Sequence, residues 1–129
     1  MRVGLGGMVL VLAIVATSTL TAHHSVPGQF DTSKPTTLKG TISDVDWMNP
    51  HIYIHLDVKD DSGAVAKWQL GSAPPAMLRK ANLTKAKLMG TPGEVVTIVV
   101  YPARDGTKNL GWVTKITYAD GRFLTLDGR

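Results

Sequence analysis

The chain contains no cysteine and only one glutamate, Glu94. Without cysteine it forms no disulfides, and it is not a lipoprotein, because lipid attachment requires a cysteine at the mature N-terminus. Signatures of catalysis are equally scarce, since Ser25, Ser43, Ser62 and Ser72 stand in no nucleophile-elbow context and no glycine-rich phosphate loop is present. These absences argue against an enzyme.

Long apolar runs are absent too, apart from one at the start of the chain. Arg2 precedes the uncharged apolar stretch 3–16, and a short segment of small residues follows and ends at Ala22. The apolar stretch is shorter than the roughly 20 residues that a membrane-spanning helix needs. A basic start, a short apolar run and a small-residue end are typical of a secretory signal peptide. We therefore expect residues 1–22 to be removed, leaving a periplasmic or secreted protein without membrane contact.

The charge of the chain is modest and dispersed. Lysine and arginine number 14 against 10 aspartates and glutamates, a formal net charge of +4. The basic residues form no run of four, so the charge by itself indicates no nucleic-acid partner, and export makes one harder still to accommodate. Hydrophobic residues make up 43% of the chain and charged residues 19%, which are ordinary values for one globular domain.

The mature chain begins with a polar segment, residues 23–36, that is broken by Pro27, Gly28 and Pro35. This composition predicts an extended, histidine-containing leader. Residues 37–129 then alternate with the period of two that is typical of strands. The strand-like segments are 37–47, 51–58, 64–70, 94–101, 110–118 and 122–126. A short helix over 76–81, with Ser72 as a candidate N-cap, separates the third segment from the fourth, and 83–89 can add another helical turn.

The order β-β-β-α-β-β predicts a mainly β fold, a small OB-like barrel that is closed or partly open. Within the first segment the apolar phase slips by one residue between Ile42 and Val45, which indicates a β-bulge or a sharp bend. We expect Trp68 and Trp112 in the core and Trp47 partly exposed. An open sandwich of the same strands is the alternative architecture.

Several motifs of the mature chain resemble those of the DUF6152 family, small exported bacterial proteins of unknown function. They are His23-His24-Ser25, Trp47-Met48-Asn49-Pro50-His51, Pro92-Gly93-Glu94-Val95 and Asp120-Gly121-Arg122. The resemblance covers nearly all of the mature chain. It implies an exported, β-barrel-like domain and carries no activity with it.

The histidines are the candidate metal ligands. After cleavage behind Ala22, the α-amino group and the ring Nδ1 of His23 could chelate one ion, and a second imidazole, from His24 or His51, would complete a site suited to copper. The plain alternative is that the histidine pair belongs to a solvated polar leader, and that His51 is held by its turn through a hydrogen bond to a neighbouring carbonyl. His55 follows His51 by four residues on one strand, about 13 Å along it, so the two do not share an ion.

Trp47, Asn49 and Tyr53 form a second candidate set, for ligand binding, because OB-folds use aromatic side chains as stacking platforms. The sequence thus supports two hypotheses. One is an exported, non-catalytic binding module of unknown ligand that holds copper through its N-terminal histidines. The other is a structural or interaction protein that contacts another envelope protein through the barrel surface.

The first prediction concerns processing. Because the apolar run ends in small residues at Ala22, the mature chain should begin at His23. Intact-mass measurement on untagged protein from the cell envelope checks the cleavage site directly. Recovery of the full-length chain in the membrane fraction would contradict the prediction.

Overall fold

A computed structural model describes residues 25–126 of the chain. Residues 1–24 lie outside the described residues, and with them the predicted signal peptide, His23 and His24. The described part has six strands and three short helices. In chain order these are α1 (Val26–Gln29), β1 (Thr36–Asp46), β2 (Tyr53–Lys59), β3 (Val65–Gly71), α2 (Pro75–Lys80), α3 (Lys85–Met89), β4 (Val95–Pro102), β5 (Leu110–Thr117) and β6 (Phe123–Thr125).

The first five strands form a closed barrel. β1 pairs antiparallel with both β2 and β4, β2 pairs with β3, and β4 pairs with β5. A short parallel pairing between β3 and β5, over Gln69–Gly71 and Leu110–Trp112, closes the ring. β6 then adds to β5. This connectivity, with the helices between β3 and β4, confirms the predicted OB-like barrel.

One bent strand serves both halves of the barrel. The register of β1 against β2 shifts between Ile42 and Asp44, which confirms the bulge expected from the phase slip. Thr41 is the junction, because it is paired with Asp57 of β2 and with Val95 of β4. The bend lets a single strand of eleven residues hydrogen-bond to two neighbours that run in different directions.

The core lies inside this ring and beneath the two central helices. The alternation predicted for β2 is confirmed, since Ile52, Ile54 and Leu56 are fully buried. Leu78 of α2 and Leu88 of α3 cover the core. The other fully buried apolar side chains come from the remaining strands: Val45, Leu70, Val96, Ile98, Val100, Val113 and Ile116.

Trp68 lies on the predicted face of β3, in phase with Leu70, and packs against the core. It is only half-buried, however, and not inside the barrel as expected. The reason is that β3 pairs with β5 only from Gln69 onward, so Trp68 sits just before the closed part of the strand.

Ser72 is not the helix N-cap that its position before two prolines suggested. β3 continues to Gly71, and the Ser72 amide donates to the carbonyl of Ile52, which holds Ser72 in the sheet. Its side chain is fully buried, and its Oγ has no hydrogen-bond partner. Pro74 takes the N-cap position of α2, without a side-chain cap.

The single glutamate has a structural role. Glu94 Oε1 accepts the amide of Thr91 at 2.6 Å, and its Oε2 accepts the amide of Ala119 at 3.2 Å. Nearby, the Tyr118 hydroxyl donates to the carbonyl of Leu88 at 2.8 Å, and burial raises the pKa of Tyr118 to about 12. These bonds join the end of α3 to the turns that flank β4 and β5.

The bend in β1 generates the second prediction. A Cβ built on Gly40 would overlap the carbonyl oxygen of Asp57 and lie 3.2 Å from Leu56 Cγ. The first obstacle is backbone, so no side-chain rotation relieves it. Gly40→Ala should therefore lower the free energy of unfolding by about 1–3 kcal/mol, the usual range for overpacking. Urea denaturation midpoints measure the change.

The matched control is Thr41→Ala at the next position, where a smaller side chain makes no such overlap. If Gly40→Ala had the same free energy of unfolding as the control variant, the result would contradict the close approach of β1 to β2 at Gly40.

Candidate functional site

An aromatic cluster forms around Trp112 on the outside of the barrel. The register of β5 against β4 is Val113 with Val100 and Lys115 with Val99, so Thr114 is an extra residue. The Thr114 hydroxyl donates to the Val99 carbonyl at 3.1 Å. This bulge separates the face of Trp112 from that of the buried Ile116, whereas the sequence had placed both on one inward face. The expectation that Trp112 packs in the core inside the barrel is therefore wrong.

Trp112 is half-buried by neighbours that come from three different parts of the chain. Phe30 lies 5.8 Å away, centroid to centroid, with its ring tilted by 42°. His51 lies at 5.3 Å and meets the indole edge-on, at 84°. The indole covers Gly71, where an added Cβ would be 3.2 Å from its ring and 3.7 Å from Tyr53. We call Phe30, His51, Tyr53, Gly71 and Trp112 the Trp112 cluster.

The leader is attached to this cluster. Phe30 is 6% exposed, although the sequence assigned it to an extended segment. Residues 26–29, directly before it, form the helical turn α1, capped by Ser25, where the sequence predicted an extended leader, whereas the backbone of Phe30 itself is extended. Burial of Phe30 against Trp112 supplies the apolar contact that a polar leader alone would lack.

Arg104, in the turn between β4 and β5, holds α1 in place. Its amide donates to the Gln29 carbonyl at 2.8 Å, and its Nε donates to the Pro27 carbonyl at 3.1 Å. Its Nη2 donates to the Phe30 carbonyl at 3.4 Å. One residue therefore ties the backbone of α1 to the barrel through three hydrogen bonds. The described chain starts at Ser25, immediately after His24.

His51 follows the cis peptide bond between Asn49 and Pro50. Its Nδ1 is buried and has no hydrogen-bond partner among residues 25–126, so this nitrogen does not make the carbonyl hydrogen bond expected of the imidazole. A buried polar atom without a partner costs about 1–3 kcal/mol. Such atoms are rare in native proteins and call for an explanation, either a water, an ion or a function.

His55 has a different environment. Its Nε2 lies 2.6 Å from Asp46 Oδ2, and both side chains are about one-third exposed. The neighbouring Asp44 pairs with Lys85 of α3 at 2.8 Å. The hydrogen bond from Lys85, followed by that from the Val45 amide, lowers the pKa of Asp44 from its ordinary value. His55 is thus bound to β1, and His51 to the Trp112 cluster.

The predicted ligand-binding set is divided by the fold. Tyr53 is half-buried on the outer face, paired with Asp46 and Gly71. Trp47 packs partly against the core and lies under Arg79, whose guanidinium carbon is 5.8 Å from the ring centroid. Asn49 is exposed in the turn between them. Trp47 is partly buried, as expected, but it faces the helices and so shares no surface with Tyr53.

The described residues by themselves offer no grouped set of metal ligands. Between Ser25 and Leu126, no three histidine, cysteine, aspartate or glutamate side chains are grouped closely enough to hold one. The Nδ1 of His51 is a buried ring nitrogen without a hydrogen-bond partner among the described residues. His23 and His24, which lie outside the described residues, directly precede the segment that docks beside it.

Sequence reasoning missed Phe30, Arg104 and the outward position of Trp112. In β5 either Leu110 and Trp112 or Gly111 and Val113 could face the core. The sequence pattern does not indicate which of these two sets is buried. The signal that could have found Phe30 is its isolation: it is the one aromatic residue in a polar leader.

The third prediction follows from the contacts of Arg104. Arg104→Ala removes two side-chain hydrogen bonds to α1, worth about 1 kcal/mol each at most, so the amides of Gly28, Gln29 and Phe30 should exchange severalfold faster. The melting temperature should change little, since the barrel core is untouched. Hydrogen exchange measures the local effect, with Arg122→Ala as the control for loss of one surface charge. Equal protection of α1 in both variants would show that Arg104 does not hold it.

Between Ser25 and Leu126, no helix is long and apolar enough to cross a bilayer. No curated protein and no solved structure matches the chain. One family profile does match, over residues 10–112, and it is described as a family of unknown function. This match spans most of the chain, including the apolar stretch from residue 10, the leader and the barrel through Trp112, and so the protein belongs to the DUF6152 family.

Proposed function

We propose that this protein is an exported, non-catalytic binding module that holds a copper ion where its leader meets the barrel. His23, His24 and His51 are the proposed ligands. The observation that carries the proposal is the position of His51. Its Nδ1 is buried without a partner, and its ring contacts the same indole as Phe30 of the leader.

The described part of the leader is fixed to this end of the barrel. α1 is tied to Arg104, and Phe30 is buried against Trp112. His23 and His24 directly precede Ser25 in the sequence. This supports a site in which leader and barrel both contribute.

The donor set suits a borderline metal. Imidazole and amine nitrogens favour Cu(II), which has the highest affinity of the common divalent ions for such ligands. Cleavage behind Ala22 would make the α-amino group of His23 a further donor. When bound, the ion would supply redox or carrier chemistry. The chain's own part is to hold His51 against Trp112, so that this imidazole needs little further ordering when the ion binds.

Location is part of the same proposal. The signal-peptide layout of residues 1–22 supports a periplasmic or secreted protein. A soluble envelope protein without cysteine must bind copper through nitrogen, oxygen or thioether ligands. The imidazole nitrogens of its histidines are the strongest copper ligands among these.

The second candidate is a protein that contacts another envelope protein through the barrel surface. It is favoured by a groove of about 590 Å³ that is lined by residues of β1, β2, β3 and β4. Val65 and Val95, which are 45% and 48% exposed, line it. Replacing both valines by serine should abolish a partner contact without affecting copper, which separates the two candidates.

The fourth prediction tests copper binding on the chain that begins at His23. Calorimetric titration should give one Cu(II) per chain with sub-micromolar affinity, and His51→Gln should weaken binding at least tenfold because one imidazole ligand is lost. His55→Gln is the matched control, a histidine four residues further along the chain that is paired with Asp46, and its affinity should equal that of the unmodified chain.

A chain that begins at Ser25 should lose the binding altogether. Affinity that is micromolar or weaker, or that is equal with and without the two leader histidines, would contradict the copper proposal. An equal loss in His51→Gln and His55→Gln would contradict the assignment of His51.

A further inference from the structure

The surface of α2 and α3 is basic and partly apolar. From residue 62 to residue 93 the chain has no aspartate or glutamate, although it has five basic residues. Four of these lie on or beside the two helices: Arg79, Lys80, Lys85 and Lys87. All four are exposed. The chain thus concentrates positive charge on the two neighbouring helices, although no run of four basic residues occurs in its sequence.

Apolar side chains are exposed among these cations. Met77 of α2 is 48% exposed, and Met48, which follows Trp47, is 51% exposed. Trp47 lies against Arg79 of α2. We call the exposed side chains of residues 76–87 the helical surface.

Most of its charge is not neutralised by acidic side chains among residues 25–126. Lys85 pairs with Asp44 at 2.8 Å. Lys87 Nζ donates to the carbonyl of Asn82, which is neutral, and Arg79 lies over the ring of Trp47. The buried sides of the helices, Leu78 and Leu88, are already packed in the core. The outward side therefore presents a net positive charge with apolar side chains between the cations.

We propose that the helical surface docks this protein on an anionic phospholipid bilayer. Cations that neutralise acidic headgroups and a few apolar side chains that enter the interface are the features of peripheral membrane binding. The helical surface carries a shallow cavity of about 150 Å³, lined by Trp47, Arg79, Leu83, Thr84 and Lys85. A shallow surface of this kind fits a flat layer of headgroups better than a protein ligand.

The proposal is independent of copper binding, since it uses none of the histidines. It departs from the expectation, drawn from the signal peptide alone, that the mature chain has no membrane contact. Contact through headgroups needs no spanning helix, and it would be reversible, because each cation near an anionic membrane adds only about fivefold to the binding constant. It would keep an exported protein close to the membrane that it has crossed.

The fifth prediction is tested by co-sedimentation of the chain that begins at His23, which contains the whole barrel, with lipid vesicles. It should bind vesicles of phosphatidylcholine mixed with phosphatidylglycerol and not those of phosphatidylcholine alone, and high salt should release it. Lys80→Gln combined with Lys87→Gln should weaken binding about tenfold or more, as expected for the loss of two interfacial cations. Adding Met77→Ser to this double variant should weaken vesicle binding severalfold further, because an inserted apolar side chain is lost.

The matched control combines Lys59→Gln with Lys108→Gln, two exposed lysines outside the helical surface, for the same change in net charge. Equal melting temperatures show that all variants are folded. Equal loss in both double variants, or binding to neutral vesicles, would overturn the proposal. Binding to polyglutamate without binding to vesicles would overturn it as well, since the surface would then serve an acidic protein.

Discussion

The short parallel pairing between β3 and β5 is the contact on which the rest of the structure depends. It covers only Gln69–Gly71 and Leu110–Trp112, yet it turns an open sheet into a closed ring. Closure is possible because β1 bends at its bulge and pairs with β2 through one half and with β4 through the other. Once the ring is closed, every strand has an inside and an outside, and the core follows from the inside faces.

The same closure creates the candidate site. Where β3 and β5 meet, Gly71 lies beside Trp112, and the absence of a side chain on Gly71 lets the indole rest on the backbone. The bulge at Thr114 keeps Trp112 outside while Val113 and Ile116 stay inside. Phe30 and His51, which are distant in sequence, both pack against this outward indole. A metal site shared by leader and barrel would thus be a consequence of how the barrel closes.

The polar groups divide between structure and surface. Glu94 is used entirely in backbone hydrogen bonds, and the His55–Asp46 pair joins β1 to β2. The basic residues of α2 and α3, in contrast, lie on the exposed sides of the helices, because the helices bury their apolar sides. Of these basic residues, Lys85 forms an ion pair, with Asp44. Two functions on separate elements are therefore compatible: ligand binding where the barrel closes, and adhesion through the helices that cover its core.

The sequence by itself determined the strands, their inward residues in β1 and β2, the bulge, the OB-like order and the family, because alternation and turn residues are local signals. It also pointed to His51. It did not determine the exposure of Trp68, the outward position of Trp112 or the burial of Phe30. Those depend on where β3 begins to pair with β5 and on which strand carries the extra residue, and both are decided by partners distant in sequence. Local pattern fixes the period of a strand, but only the closed tertiary structure decides which of two apolar faces is enclosed.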